Sequence, residues 1–339
     1  MSTTTGFDLA GISALVNETE FGNLWYKEPI MGNNTFSATD MHGQVLTGAK
    51  NDNFKLPTYS STATLKDGSD CGFTPTDQSA LEQTDLAMVT VTVQGQFCVK
   101  TLEPYWVAAG LPAGQHYTGF NPLEAQLLSS IADEIGKKMA IFPYYGPTGS
   151  DTVTYATPWV AQLETATGII VDTGNSNDGN NTTGLDADGA YNRVEAMIAL
   201  LLANSDSAAG VHRSGEYTIE MSPLDAWYYF QNMRTRFGQD TITPVQQQMN
   251  NGAFSTWIHP GTQVRCIVVN ALQTQAVRNI ICWRKGNKVL AFDLRSDATR
   301  LELGMDQYRQ FIWWNWVCKM GAGIRSTNAK DVLYYGDAS

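Results

Sequence analysis

Apolar residues recur at helical spacing in a few well-punctuated stretches of this chain and alternate or cluster as strands elsewhere. The clearest helix is expected over 121–142. Asn121-Pro122-Leu123-Glu124 combines a capping residue, a proline at the first helical position and a glutamate three residues after the cap. Leu123, Leu127, Leu128, Ile131, Ile135, Met139 and Phe142 then hold one stripe, and Pro143 with Gly146-Pro147 is expected to end it. Ser222-Pro223-Leu224-Asp225 repeats the cap-plus-proline signature before Trp227, Phe230 and Met233, and Thr243-Pro244-Val245-Gln246 repeats it again. A further helix is expected through Val194, Met197, Ile198, Leu201 and Leu202, with Asp188 before it as a cap.

Extended structure is expected at Tyr217–Glu220, at Val264–Leu272 and at Val277–Trp283. The last stretch, 286–339, reads as strand, turn, strand, one amphipathic helix and a terminal strand. Its strands are Val289–Phe292, Leu301–Leu303 and Val332–Tyr335, and its helix is carried by Tyr308, Phe311, Ile312 and Val317 with Trp313 and Trp316 nearby. Residues 40–98 read as long extended segments around a polar middle, with an alternating run from Leu86 to Val93. Such a two-stranded ribbon is marginal alone, and its open edges invite another chain. Residues 1–38 form an apolar leader in which Asp8 caps a short helix bearing Leu9, Ile12, Leu15 and Val16. That leader is too apolar to float, so it is expected to dock, most simply on a neighbouring copy.

Composition sharpens this picture. Of 339 residues, 43% are hydrophobic and 11% aromatic, including nine Trp, while only 16% are charged, against a usual charged share of about 25%. Few charges and many large rings fit extensive subunit interfaces. The net charge of −11 excludes a protein that grips nucleic acid through a basic surface, the densest basic cluster being Arg278, Arg284, Lys285 and Lys288. Five scattered cysteines with no paired spacing, and no secretory signal in Met1–Thr5, lead to an expectation of free thiols in a reducing compartment. No apolar run reaches the ~20 residues a membrane helix needs.

Candidate chemistry is sparse. Glu124, Asp133 and Glu134 lie off the apolar stripe of their helix, where solvation is expected rather than acid–base work. The Asp- and Asn-rich stretch 172–189 offers oxygen ligands but lacks the spacing of a calcium loop. His42, His116, His212 and His259 have no metal-pair spacing, and Cys98, which with His116 would make a nucleophile–base pair, sits in the apolar run Phe97-Cys98-Val99 and reads as a core thiol. No residue is assigned a catalytic, cofactor-binding or metal-binding role. The chain is read as a non-enzymatic building block whose function lies in contacts with its own copies.

A docking leader, a long ribbon, a long helix, an α+β lobe and a closing unit, in that order, resemble the major capsid protein of tailed double-stranded-DNA bacteriophages. The segment Cys98-Val99-Lys100-Thr101-Leu102-Glu103-Pro104-Tyr105-Trp106, then Leu111-Pro112-Ala113-Gly114 and the helix at Asn121-Pro122, looks like the crAss-like and related Bacteroidetes-phage type. The resemblance implies an α+β fold with residues 1–38 as N-terminal arm and 39–95 as the extended E-loop region. It implies a peripheral domain from 96–189, with its spine helix at 121–142, completed by 286–339, and an axial domain at 190–285. It further implies an icosahedral shell of pentamers and hexamers in the virion, assembled in the host cytoplasm and enclosing DNA without sequence-specific binding. Separate scaffold, portal and decoration proteins are the implied partners; no cofactor and no membrane are involved. An encapsulin-like compartment shell and a β-rich phage surface or binding module are the alternatives.

Overall fold

Two β-sheets, a ribbon and helices packed against the sheets make up the described part of the chain. The computed structural model describes residues 43–49, 53–61, 79–98, 122–148, 151, 153, 158–169, 189–237, 256–273, 279–293, 301–306 and 311–336. The leader 1–38, the segments bearing Val99–Asn121 and Thr243–Gln246, and the Asp- and Asn-rich stretch with Asp188 lie outside the described residues.

The first sheet contains β1 (Gln44–Thr47), β4 (Val89–Cys98), β9 (Lys288–Phe292), β10 (Leu301–Asp306) and β11 (Phe311–Ile324), in the order β1-β9-β11-β10, with β4 also pairing β11. The second contains β5 (Tyr217–Met221), β6 (Thr256–Ile258), β7 (Arg265–Val268), β8 (Ile280–Arg284) and β12 (Val332–Tyr335), in the order β12-β8-β5-β7-β6. β2 (Asn53–Ser61) and β3 (Ser79–Ala87) pair only with each other among the described residues. The helices are α1 (Pro122–Tyr145), α2 (Trp159–Thr165), α3 (Gly189–Ala203), α4 (Ser205–Val211) and α5 (Pro223–Phe237).

β11 overturns the expected amphipathic helix over Phe311–Val317. Trp316, Cys318, Met320, Ala322 and Ile324 enter the main core while Trp313 and Val317 are exposed, an alternation of two residues rather than a turn of 3.6. A helix would also have carried Gly321 and Gly323 in its continuation at a cost of about 1 kcal/mol each. As a strand the segment reaches three partners: Leu301–Asp306, Val89–Cys98 and Lys288–Phe292.

Other boundaries shift for local reasons. α1 runs through Pro143 to Tyr145, the proline giving up the one backbone bond an N–H there would have made to the Met139 carbonyl. Gly146, at φ +76°, closes it by donating its N–H to the Phe142 carbonyl at 2.8 Å. The run Leu86–Val93 is divided at Met88, so one stretch of chain serves the ribbon as β3 and the first sheet as β4. Val264–Leu272 is strand only to Val268 and ends in a 3-10 turn over Asn270–Gln273. α5 starts as the cap signature requires: Ser222 Oγ accepts from the Asp225 N–H at 3.1 Å and donates to Asp225 Oδ2 at 2.6 Å. On α3, Val194, Met197, Ile198 and Leu201 are buried, whereas Leu202 is exposed.

The second sheet is a wall between two cores. Ile281, Trp283, Val332 and Tyr334 face the core shared with α1, α2 and the first sheet, and Ile280, Cys282, Leu333 and Tyr335 face the core under α3 and α5. Both faces are covered, so β5 and β12 are buried at every position. The terminal strand β12 thus joins the sheet of β5–β8, not that of β9–β11.

Candidate assembly element and the buried junction beneath it

β2 and β3 run antiparallel from Asn53↔Ala87 to Ser61↔Ser79, a ribbon of about 30 Å at strand rise. Its root is buried on one face, and further along it Leu81 and Gln83 are exposed. Leu56 and Leu86 pack with Ala49, Met88, Val289 and Ala291 in a small separate core. Beyond them Leu81 is 55% exposed, and on the outer face of the root Lys55 and Asp85 face each other across the strands at 3.7 Å in solvent, a contact worth little.

The seat under the ribbon is made by two glycines of β11. A Cβ on Gly321 would meet the Ala87 carbonyl oxygen at 2.6 Å and Met88 Sδ at 2.7 Å, and one on Gly323 would meet Leu86 Cδ1 at 2.6 Å. The missing side chains let the ribbon lie directly on the sheet. Gly321→Ala is therefore expected to cost about 1–3 kcal/mol through overpacking against backbone that cannot swing aside; a urea midpoint unchanged from the parent would contradict this seat. On the opposite face, α2 covers β11 beyond the end of β4, with Trp159 Nε1 donating to the Gly323 carbonyl at 3.1 Å and Gln162 Nε2 to that of Ala322 at 3.2 Å.

Beneath the ribbon, Lys288 of β9 and Glu220 of β5 form an ion pair with both side chains almost completely buried. Lys288 Nζ lies 2.8 and 3.0 Å from the two Glu220 oxygens and donates to the Tyr144 hydroxyl at 2.6 Å. Glu220 Oε2 also accepts from the Tyr144 hydroxyl at 2.7 Å and from Trp283 Nε1 at 2.9 Å. The ammonium stands 4.3 Å from the Trp159 ring centroid and 4.5 Å from that of Tyr144, within range of an attractive cation–π contact. Burial holds the Lys288 ammonium below the ordinary lysine range, with Glu220 pulling it back up. Burial, and then the Glu220 charge, push the Tyr144 hydroxyl well above the ordinary tyrosine range. The expected basic cluster of Arg278, Arg284, Lys285 and Lys288 is accordingly broken up. Lys288 points inward, and Arg284 is tied to Glu216 at 2.9 Å and Asp331 at 3.1 Å. The junction joins both sheets to α1 and α2 and has no solvent access for a substrate.

Among the described residues the remaining candidate groups are not gathered into a site. Asp133 and Glu134 are exposed on α1, with Glu134 bridged to Lys137 at 2.6 Å. His212 is exposed after α4, while buried His259 places Nε2 2.9 Å from Glu195 Oε1, and that hydrogen bond holds the Glu195 carboxyl below its usual range. Cys98 ends β4 opposite Phe311; its side chain, His42 and His116 lie outside the described residues. An open cleft of about 440 Å³ between β4 and β11 is lined by Gln94, Gly95, Gln96, Trp313, Trp314 and Asn315, none of them titratable. Among the described residues no group of His, Cys, Asp or Glu could hold a metal ion, and no helix is long and apolar enough to cross a membrane. Cys266, Cys282 and Cys318 are buried, and burial pushes the thiols of Cys266 and Cys282 upward. Iodoacetamide at pH 8 is expected to leave all three unlabelled in the folded chain and to label them in denaturant. Peptide mass mapping reads this out, and rapid native labelling would contradict it.

No family model matches the sequence, and no curated protein is similar to it. Solved structures are similar in fold. A chain of the capsid of Myoviridae phage XM1 superposes with a TM-score of 0.54 at 10% identity, covering 90% of this chain and 92% of that one. A chain of Gordonia phage Cozz gives 0.52 at 13% identity, over 91% of this chain and 87% of the other. A Mycobacterium phage Bobi chain gives 0.50 at 11% identity, over 89% and 91%. The mixed helix-and-sheet fold is therefore that of a tailed-phage capsid chain, preserved at identities where the sequences share almost no recognisable positions.

Proposed function

We propose that this chain is a major capsid protein that assembles with its own copies into the icosahedral shell enclosing the double-stranded DNA of a tailed phage. The observation that carries the reading is the likeness in fold to a capsid chain over nine-tenths of both chains. It is supported by a ribbon whose root is fixed and whose Leu81 stands open to solvent. In this proposal 39–95 is the E-loop region, laid across a neighbour by apolar contact and strand addition. The peripheral domain comprises 96–189 and 286–339, the axial domain 190–285, and the arm 1–38. Heterologous contacts between copies close into pentamers and hexamers and then into the shell, and modest interfaces suffice because many act together.

The crAss-like type belongs to the same proposal and rests on the segment Cys98–Trp106 with Leu111-Pro112-Ala113-Gly114. So do assembly in the host cytoplasm, a virion location, and separate scaffold, portal and decoration proteins as partners. The net charge of −11 fits a wall that encloses phosphates without gripping them. The proposed role is structural, with no catalytic step. Negative-stain microscopy of the expressed full chain tests the reading: closed particles of uniform diameter are expected, and a chain that stays monomeric at every concentration and ionic strength tried, alone and with the phage's own scaffold, overturns it.

A further inference from the structure

We propose that Arg325 is a clasp that fixes the angle at which the ribbon leaves the body, and that this angle sets the curvature of the shell. The inference rests on the capsid reading and adds to it the residue that governs particle size. The ribbon's apolar seat on Gly321 and Gly323 holds its root in place by close fit, while the hydrophobic contact itself is non-directional. Direction comes from Arg325, at the end of β11. Its N–H donates to the Asn287 carbonyl at 3.1 Å, and Asn287 in turn donates to the Ser326 carbonyl at 2.9 Å and accepts from the Ser326 N–H at 2.8 Å. The Arg325 backbone is thereby pinned to the β8–β9 turn.

From that fixed point Arg325 holds both strands of the ribbon. Its carbonyl accepts from Thr58 Oγ1 of β2 and from Thr84 Oγ1 of β3, each at 3.2 Å. Its guanidinium donates through Nη2 to Gln44 Oε1 of β1 and reaches through Nη1 to the Pro57 carbonyl at 3.5 Å. Pro57 has no N–H, so its carbonyl is the only backbone hydrogen-bonding group it offers. Two hydroxyls from different strands converging on one oxygen prevent the ribbon from rolling. The planar fork between β1 and β2 prevents it from swinging. A lysine has the charge but not the fork, and cannot hold Gln44 and Pro57 together.

The test compares the parent chain with Arg325→Ala, Arg325→Lys and the pair Thr58→Val with Thr84→Val, by amide hydrogen exchange on unassembled protein and by particle diameters in electron micrographs. Exchange in Asn53–Ser61 and Ser79–Ala87 is expected to rise about tenfold or more in each variant, with β5 and β8 unchanged. Particles are expected to spread over several diameters or remain as open sheets, while the thermal midpoint stays close to the parent's. Unchanged exchange in both ribbon strands overturns the clasp. Faster exchange with the parent's diameter distribution overturns its control of curvature. If the parent itself forms no particles, the capsid reading fails instead, and the exchange result still decides whether Arg325 holds the ribbon. Should Arg325→Ala fail to fold, the lysine and threonine variants carry the comparison.

Discussion

Replacing residues 59–81 by a two-residue Asn-Gly turn is expected to abolish shell formation while leaving the body folded. The cut keeps Leu56 and Leu86 in their core and keeps Thr58 and Thr84, so the root stays seated. What is lost is the part of the ribbon that carries exposed Leu81. Covering the exposed half of Leu81 at an interface contributes about 0.8–1.6 kcal/mol, which shifts the assembly threshold about 4- to 15-fold in concentration for that side chain alone. The whole tip removes more, at every contact it makes. Sedimentation should show only slow species at concentrations where the full chain gives particles, with an unchanged far-ultraviolet spectrum. Particles of normal size from the shortened chain would mean that the ribbon does not bind neighbours. A wider deletion, such as 46–90, would be a poorer test, because it removes Leu46 and Thr47 from β1 and Val89 from β4.

The second large effect is expected at the buried junction. Lys288→Met removes the ammonium and leaves the Glu220 carboxylate without a counter-charge in a dry core, at a cost of about 3–5 kcal/mol. Urea unfolding of the unassembled chain measures it. Combining Lys288→Met with Glu220→Gln should be markedly more stable than the single variant. The amide oxygen still accepts from Trp283 Nε1 and the Tyr144 hydroxyl, and no charge is stranded. A double variant no better than Lys288→Met would mean that shape at this site, not the unpaired charge, governs the loss. Because the pair joins β9 to β5, the single variant is also expected to loosen the first sheet against the second.

Much of this architecture could be read from local signals. The α5 cap at Ser222-Pro223-Leu224-Asp225, the later stripe of α1 through Ile135, Met139 and Phe142, and the strands at Tyr217, Val289 and Val332 all follow from short-range patterns that need no knowledge of the rest of the chain. β11 was not legible for a physical reason. Its even positions enter the main core, and Gly321 and Gly323 lie under the ribbon, so its second half lacks the polar face that marks a strand's period. With apolar residues on both faces, a helical template fits Phe311–Val317 as well as an extended one. Lys288 was hidden differently. In sequence it neighbours Lys285 and Arg284 and looks solvated; its partner Glu220 is 68 residues away. The two threonines of the ribbon and the distant Arg325 are equally silent until the sheet brings them together.

The pairing of early strands with late ones has a consequence for synthesis. β1 lies beside β9 from Gln44↔Val289, and β4 lies beside β11 from Val89↔Met320. β1 cannot find its place until the chain has been made through Phe292, nor β4 until it has been made through Met320, and pairings this remote in sequence form slowly. The ribbon, made first, has no seat until Gly321 and Gly323 emerge, so a nascent chain cannot present it at a defined angle to a finished subunit. If copies assemble as proposed, late closure of the first sheet would act as a timer that keeps half-made copies out of a growing lattice.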